Sequence, residues 1–134
     1  MNARITRRET LAALREDLDF MRVSLVPHFH REDAGLLPAV ERHLGRHGDS
    51  MVDLLWQEHR ELERGVTKFA EALDGAVAVT GEREVAELDR HGLFLVQVLQ
   101  DHVRKEESAF FPLARQHLTP ADWEFVAAAM AGLR

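Results

Sequence analysis

Apolar residues recur at alternating steps of three and four along three stretches of this 134-residue chain. Leu11, Leu14, Leu18, Met21 and Leu25 form the first run. Val52, Leu55, Leu62, Val66, Phe69 and Leu73 form the second, and Leu88, Leu95 and Val98 the third. This spacing draws an apolar stripe along one face of a helix, and such a stripe is buried against other helices. Each stripe is interrupted by polar residues at the same spacing. The first continues into His28 and Glu32, the second includes His59, and the third includes His91, His102 and Glu106. One histidine on a seam is ordinarily a hydrogen-bonded core residue, and an exposed H-x-x-x-E pair is worth only about 0.2–0.5 kcal/mol. Three His and two Glu aimed at one interior are different, because uncompensated they cost several kcal/mol. A metal ion is the simplest compensation, since imidazole nitrogens and carboxylate oxygens are suitable donors.

Sparse Pro and Gly leave room for long helices. Thr6-x-x-Glu9 reads as a capping box. It opens a helix predicted to run to about Leu44, where Gly45 and Gly48 offer stops. Pro27 is expected to kink or interrupt it just before His28. Ser50-x-x-Asp53 opens a second helix to about Leu73, followed by a small loop over residues 75–81. A third is predicted from about Glu82 to Leu118. Thr119 and Pro120 fit the N-cap and first position of a short last helix over about 120–131. The reading is all-α: three long antiparallel helices plus a short C-terminal helix, in one domain over residues 1–134.

Composition narrows the chemistry. With no Cys there is no disulfide scaffold, zinc ribbon, iron–sulfur cluster or thiol nucleophile. With no Tyr there is no tyrosyl radical. Eight His remain, so imidazole and carboxylate chemistry is the main candidate. The formal charge of -6 weighs against a broad nucleic-acid footprint. The charged N-terminus lacks the apolar core of a secretory signal, and no apolar run approaches the roughly 20 residues of a membrane-spanning helix. The expectation is a cytoplasmic protein with neither nucleic acid nor membrane as partner.

The chain also repeats itself. At an offset of 74 residues, Phe20 matches Phe94, Leu25 matches Leu99, His28 matches His102 and Glu32 matches Glu106. Pro38 matches Pro112, and each follows two large apolar residues, Leu36-Leu37 or Phe110-Phe111. His43 and Leu44 match His117 and Leu118, whereas Pro27 is not repeated, because Asp101 stands in its place. On a helix, residues i and i+4 stand one above the other, about 5–6 Å apart at Cβ. Two facing H-x-x-x-E helices therefore offer two imidazoles and two carboxylates to one interior, and His59 adds a third imidazole. Ligands projecting inward from facing helices are the logic of carboxylate-bridged di-iron sites in bundles.

These residues resemble the hemerythrin-like (HHE cation-binding) domains. The resemblance rests on His28-Phe-His-Arg-Glu32 running into Leu36-Leu37-Pro38, on Glu58-His59, and on His102-Val-Arg-Lys-Glu106-Glu107 running into Phe110-Phe111-Pro112. It covers roughly residues 10–118 and implies an antiparallel bundle around a non-haem di-iron centre. It further implies binding or sensing of dioxygen, nitric oxide, iron or redox state. By the same resemblance His28, His59 and His102 are imidazole ligands, and Glu32 and Glu106 are bridging carboxylates. The family usually has a further helix ahead of the first H-x-x-x-E, donating another His. Here no His precedes His28. Glu63, water, a second subunit or a single-metal site are the available repairs. His91 lies eleven residues before His102, about 16 Å along a helix, and is too far. A water-filled or weakened site is favoured, with a homodimer covering the exposed seam.

The leading expectation is therefore a di-iron protein that binds a small diatomic ligand such as dioxygen or nitric oxide. A single iron or a different metal is an open variant. A di-iron oxidase, peroxidase-like or iron-repair enzyme and a metal-free dimerisation module are the alternatives. His30, His43, His47 and His117 read as peripheral, Asp33 and Glu107 as outer or exposed carboxylates, Trp56 and Trp123 as packing residues, and Arg60 and Arg64 as a solvated face.

Overall fold

The computed structural model describes residues 7–44, 51–79 and 81–132. Among these, every regular element is helical. Helix α1 (Arg7–Phe20) passes through a π-helical turn (Met21–Leu25) into α2 (Val26–Ala34) without leaving helical backbone angles. Gly35 breaks this first rod, and α3 (Leu36–Leu44) follows. The second rod is α4 (Met51–Ala78). The third comprises α5 (Glu82–Lys105), a second π-helical turn (Glu106–Phe110) and α6 (Phe111–His117). Helix α7 (Pro120–Gly132) closes the described chain. The chain is all-α, with three long rods and a C-terminal helix, as its stripes predict. No helix among the described residues is long and apolar enough to cross a membrane.

Several boundaries differ from expectation. The second helix continues past Leu73 to Ala78, so most of the predicted loop at 75–81 is helical. One glycine, Gly75, with open space around it is tolerated in a helix at about 1 kcal/mol relative to Ala, and the buried Leu73 and Ala76 offset this. The first and third helices are not uniform α-helix: each carries a π-helical turn, and the first also breaks at Gly35. Proline lacks an N–H, and its ring presses on the carbonyl four residues back. Pro27 follows a widened turn in which the Val26 N–H bonds to the Met21 carbonyl. Pro112 follows another, in which the Phe111 N–H bonds to the Glu106 carbonyl. Pro38 follows the break at Gly35. The distortion thus lies on the N-terminal side of each proline, where the backbone loosens to admit the ring. Thr6, Gly45, Gly48 and Ser50, which carry the predicted starts and stops of the first two helices, lie outside the described residues, as does His47.

Every predicted seam residue of α4 is buried: Val52, Leu55, His59, Leu62, Val66, Phe69 and Leu73. The core has two apolar clusters. One gathers Leu18, Phe29, Leu62, Phe69, Leu73, Leu88 and Leu95, the other Leu37, Val40, Leu55, Phe110 and Val126. Along each rod the polar seam residues fall between them: Glu32 between Phe29 and Leu36, His59 between Leu55 and Leu62, His102 and Glu106 between Leu95 and Phe110.

Helix α7 packs on α2 and α3. Its start is a reciprocal cap: the Thr119 N–H donates to Asp122 Oδ2 (2.8 Å) and the Asp122 N–H to Thr119 Oγ1 (3.2 Å). His43 reaches the same carboxylate at 2.6 Å, so this peripheral histidine ties α3 to α7. The bonds from Thr119 and His43 hold the Asp122 carboxyl well below the usual carboxylate range. The approach at Gly35 is close, and a Cβ there would lie 2.7 Å from the Ala129 Cβ. Gly35→Ala is therefore expected to cost about 1–3 kcal/mol through overpacking. Gly75→Ala, in open space on α4, is expected to be neutral or slightly stabilising. Urea unfolding of the two variants beside the parent chain checks the contrast.

Candidate metal centre

Four of the predicted site residues come together in the middle layer. Glu32 of α2, His59 of α4, His102 of α5 and Glu106 of the second π-helical turn are all buried. One donor atom from each lies within 4.8 Å of the other three. Donors that share one ion at about 2.2 Å lie no more than about 4.4 Å apart, so the four need only draw together to hold a single cation. Glu32 Oε1 is 3.2 Å from His59 Nε2, and Glu106 Oε2 is 3.4 Å from His102 Nε2. None of these four atoms has a hydrogen-bond partner. Buried polar atoms are normally paired, so four orphans facing one another mark a place built for an absent partner. The donor set, two imidazoles and two carboxylates, suits a divalent or trivalent transition metal.

His28 stands at the margin. Its side chain is 40% exposed, and its Nε2 lies 3.3 Å from Glu32 Oε2. The buried group therefore uses one carboxylate oxygen of Glu32, while His28 approaches the other from the solvent side. Glu63 does not fill the missing position: it pairs with His30 at 2.9 Å and with Arg60. His91 pairs with Glu87 at 3.5 Å on its own helix.

The inward aim of the two buried rings has a visible cause. His59 Nδ1 bonds Asp33 Oδ1 at 2.7 Å, and His102 Nδ1 bonds Glu58 Oε1 at 2.9 Å. Each carboxylate is in turn held by a cation, Asp33 by Arg60 at 2.5 Å and Glu58 by Lys105. Phe29 stacks on His59 with ring centroids 4.6 Å apart and meets His102 edge-on at 5.6 Å. Arg60 is thus a working contact rather than part of a solvated face, while Glu107 is exposed. Trp56 is half exposed, with the Arg60 guanidinium over its ring, and Trp123 is 40% exposed, so neither is a core packing residue. Glu58 and Lys105 escape a reading based on seams. They sit one helical step, about 100°, from the core-facing His59 and Glu106, at the helix–helix boundary. The adjacency Glu58-His59 was their only trace in the sequence.

Burial lowers the pKa of His59, but Asp33 and Glu32 outweigh it and raise it to about 9. Burial also lowers that of His102, and Glu106 and Glu58 raise it overall. For Glu32 burial acts upward, yet His28 and His59 hold the carboxyl well below its ordinary value. Glu106 is pushed up by burial and by Glu32 facing it. Without metal, these neighbours favour the protonated form of His59.

The chain belongs to the hemerythrin HHE cation binding domain family, which it matches over residues 1–114. Helix α7 lies beyond the matched residues. No curated protein and no solved structure matches the chain.

The proton balance has a measurable sign. The folded-state pKa of His59, about 9, lies above the ordinary value of 6.5. Its contribution to the stability of metal-free protein is thus complete below pH 6.5 and lost as pH rises through 9, a swing of roughly 3 kcal/mol at most. Chelator-treated protein is expected to unfold at lower urea at pH 9 than at pH 6.5. Metal-loaded protein, whose His59 is already neutral, should lose less over the same interval.

Proposed function

We propose that this chain is a non-haem iron protein that binds or senses a small diatomic molecule, dioxygen or nitric oxide, or responds through its iron to redox state. The observation that carries this reading is the set of four orphaned, inward-facing donor atoms on Glu32, His59, His102 and Glu106. Membership of a cation-binding family supports it. Iron held there supplies reversible one-electron chemistry and affinity for small diatomic ligands. The chain's own residues do the rest. Glu32, His59, His102 and Glu106 hold the ion, and the apolar clusters above and below keep bulk water from the buried donors. His28, with the second oxygen of Glu32, offers a partial position on the solvent side for a second iron.

The two positions are unequal, and this favours reversible loading of the outer one. The inner has four buried donors. The outer has one half-exposed imidazole and the second oxygen of Glu32. A homodimer belongs to the same reading. Phe20, Val23, Leu93, Phe94 and Val96 are exposed on α1, the first π-helical turn and α5. A groove of about 420 Å³ runs between these rods, with Met21, Phe69 and Leu95 in its lining. A second copy laid on this face would bury that apolar surface.

Protein grown with iron is expected to be coloured and to carry between one and two irons per chain. His102→Ala should lose all bound iron, whereas His28→Ala should keep about one. Colourless, iron-free parent protein from iron-rich medium would remove the proposal. Val23→Asp with Phe94→Asp is expected to turn a dimer into a monomer of unchanged helicity by sedimentation, and a parent chain that sediments as a monomer at all concentrations removes the dimer.

A further inference from the structure

The outer contacts of the site form two relays of the same construction. The first runs from His59 to Asp33 (2.7 Å), from Asp33 to Arg60 (2.5 Å), from Arg60 to Glu63 (2.7 Å) and from Glu63 to His30 (2.9 Å). The second runs from His102 to Glu58 (2.9 Å), from Glu58 to Lys105, and from Lys105 to Asp101 (3.0 Å). In both, an acid from one rod grips the imidazole of the next, and a cation neutralises the acid. Asp33 of α2 holds His59 of α4, and Glu58 of α4 holds His102 of α5. Each anchor is also the sequence neighbour of a buried donor: Glu32-Asp33 and Glu58-His59.

We propose that Asp33 and Glu58 are positioning residues that lock His59 and His102 with Nε2 toward the metal, and that Arg60 and Lys105 act through them. The inference rests on the reading of the buried cluster as a metal site. A neutral imidazole carries one N–H, and the partner of Nδ1 decides which nitrogen keeps it. An acid at Nδ1 retains the proton there and leaves the Nε2 lone pair free for an ion. It also fixes the plane of the ring and raises its basicity as a donor. The cation holds the acid in place, so Lys105, which touches no donor atom of the cluster, still bears on the ion. Among the described residues the half-exposed His28 has no such anchor: the acid it meets is Glu32, itself a donor of the buried cluster. The two buried imidazoles are thus prepared for metal and the outer one is not.

The test uses zinc, a diamagnetic probe, titrated into chelator-stripped full-length protein against a chromophoric competitor. Loss of such an anchor typically costs 10–100-fold in metal affinity. Glu58→Ala is expected to weaken zinc by that factor. It should also remove one of two slowly exchanging imidazole Nδ1–H resonances of the zinc-loaded protein, and Asp33→Ala the other. Glu58→Gln keeps an acceptor at Nδ1, so it should retain the resonance and lose less affinity. It also serves if the alanine variant does not fold. Lys105→Met should fall between Glu58→Gln and the parent. Glu107→Ala removes the same charge from an exposed position on the third rod and should bind within twofold of the parent. Glu58 variants that bind as tightly as Glu107→Ala, with both resonances intact, overturn the proposal. A parent chain that takes up no metal instead overturns the reading of the site on which it rests.

Discussion

The arrangement depends on one cost. Charged or strongly polar groups taken out of water must find partners, and the penalty for failing is several kcal/mol per group. Here four such groups occupy a layer in which the surrounding residues are Leu, Val and Phe. Helix packing alone would favour apolar residues at those seam positions. The polar layer persists in the fold because its outer atoms are satisfied, His59 by Asp33 and His102 by Glu58, while its inner atoms face one another. The protein partners are on the outside, and the inner atoms have none.

The stripes in the sequence showed which residues face inward. Leu55, His59, Leu62 and Phe69 share one face because the period of a helix places them there, whatever their chemistry. The same period places Glu32 and Glu106 on inward faces. The periodicity carried less about the backbone. A seam continues smoothly through a π-helical turn, so Leu25 and His28 look like one run although the widened turn ends at Leu25. The prolines signalled irregularity, but not that the distortion would sit upstream of each ring. Contacts across helices were the least legible. Asp33 and Arg60 are 27 residues apart and Glu58 and Lys105 are 47 apart, and no local pattern joins them. His43 likewise reads as a helix-end residue until α7 brings Asp122 to it.

The halves of the internal repeat are alike in ligands and unlike in setting. His102 is buried and anchored at Nδ1, whereas its counterpart His28 is half exposed and, among the described residues, meets an acid at Glu32. The same H-x-x-x-E motif therefore gives a buried imidazole in one copy and a half-exposed one in the other. What separates them is the neighbouring rod: α4 lies beside the first and third rods and supplies Glu58 to His102, but nothing equivalent to His28. The repeat in sequence is a repeat of local chemistry, and tertiary packing breaks its symmetry.

Phe29 has a kinetic meaning. Its ring lies flat on His59 and edge-on to His102, while the far side of each imidazole is held by a carboxylate. Neither ring can turn without breaking both restraints. The rotational entropy of the two imidazoles is therefore lost when the chain folds, not when an ion arrives. Capture of a cation would then be limited by its own dehydration and by the departure of protons from the rings, with no search by the side chains for the productive orientation.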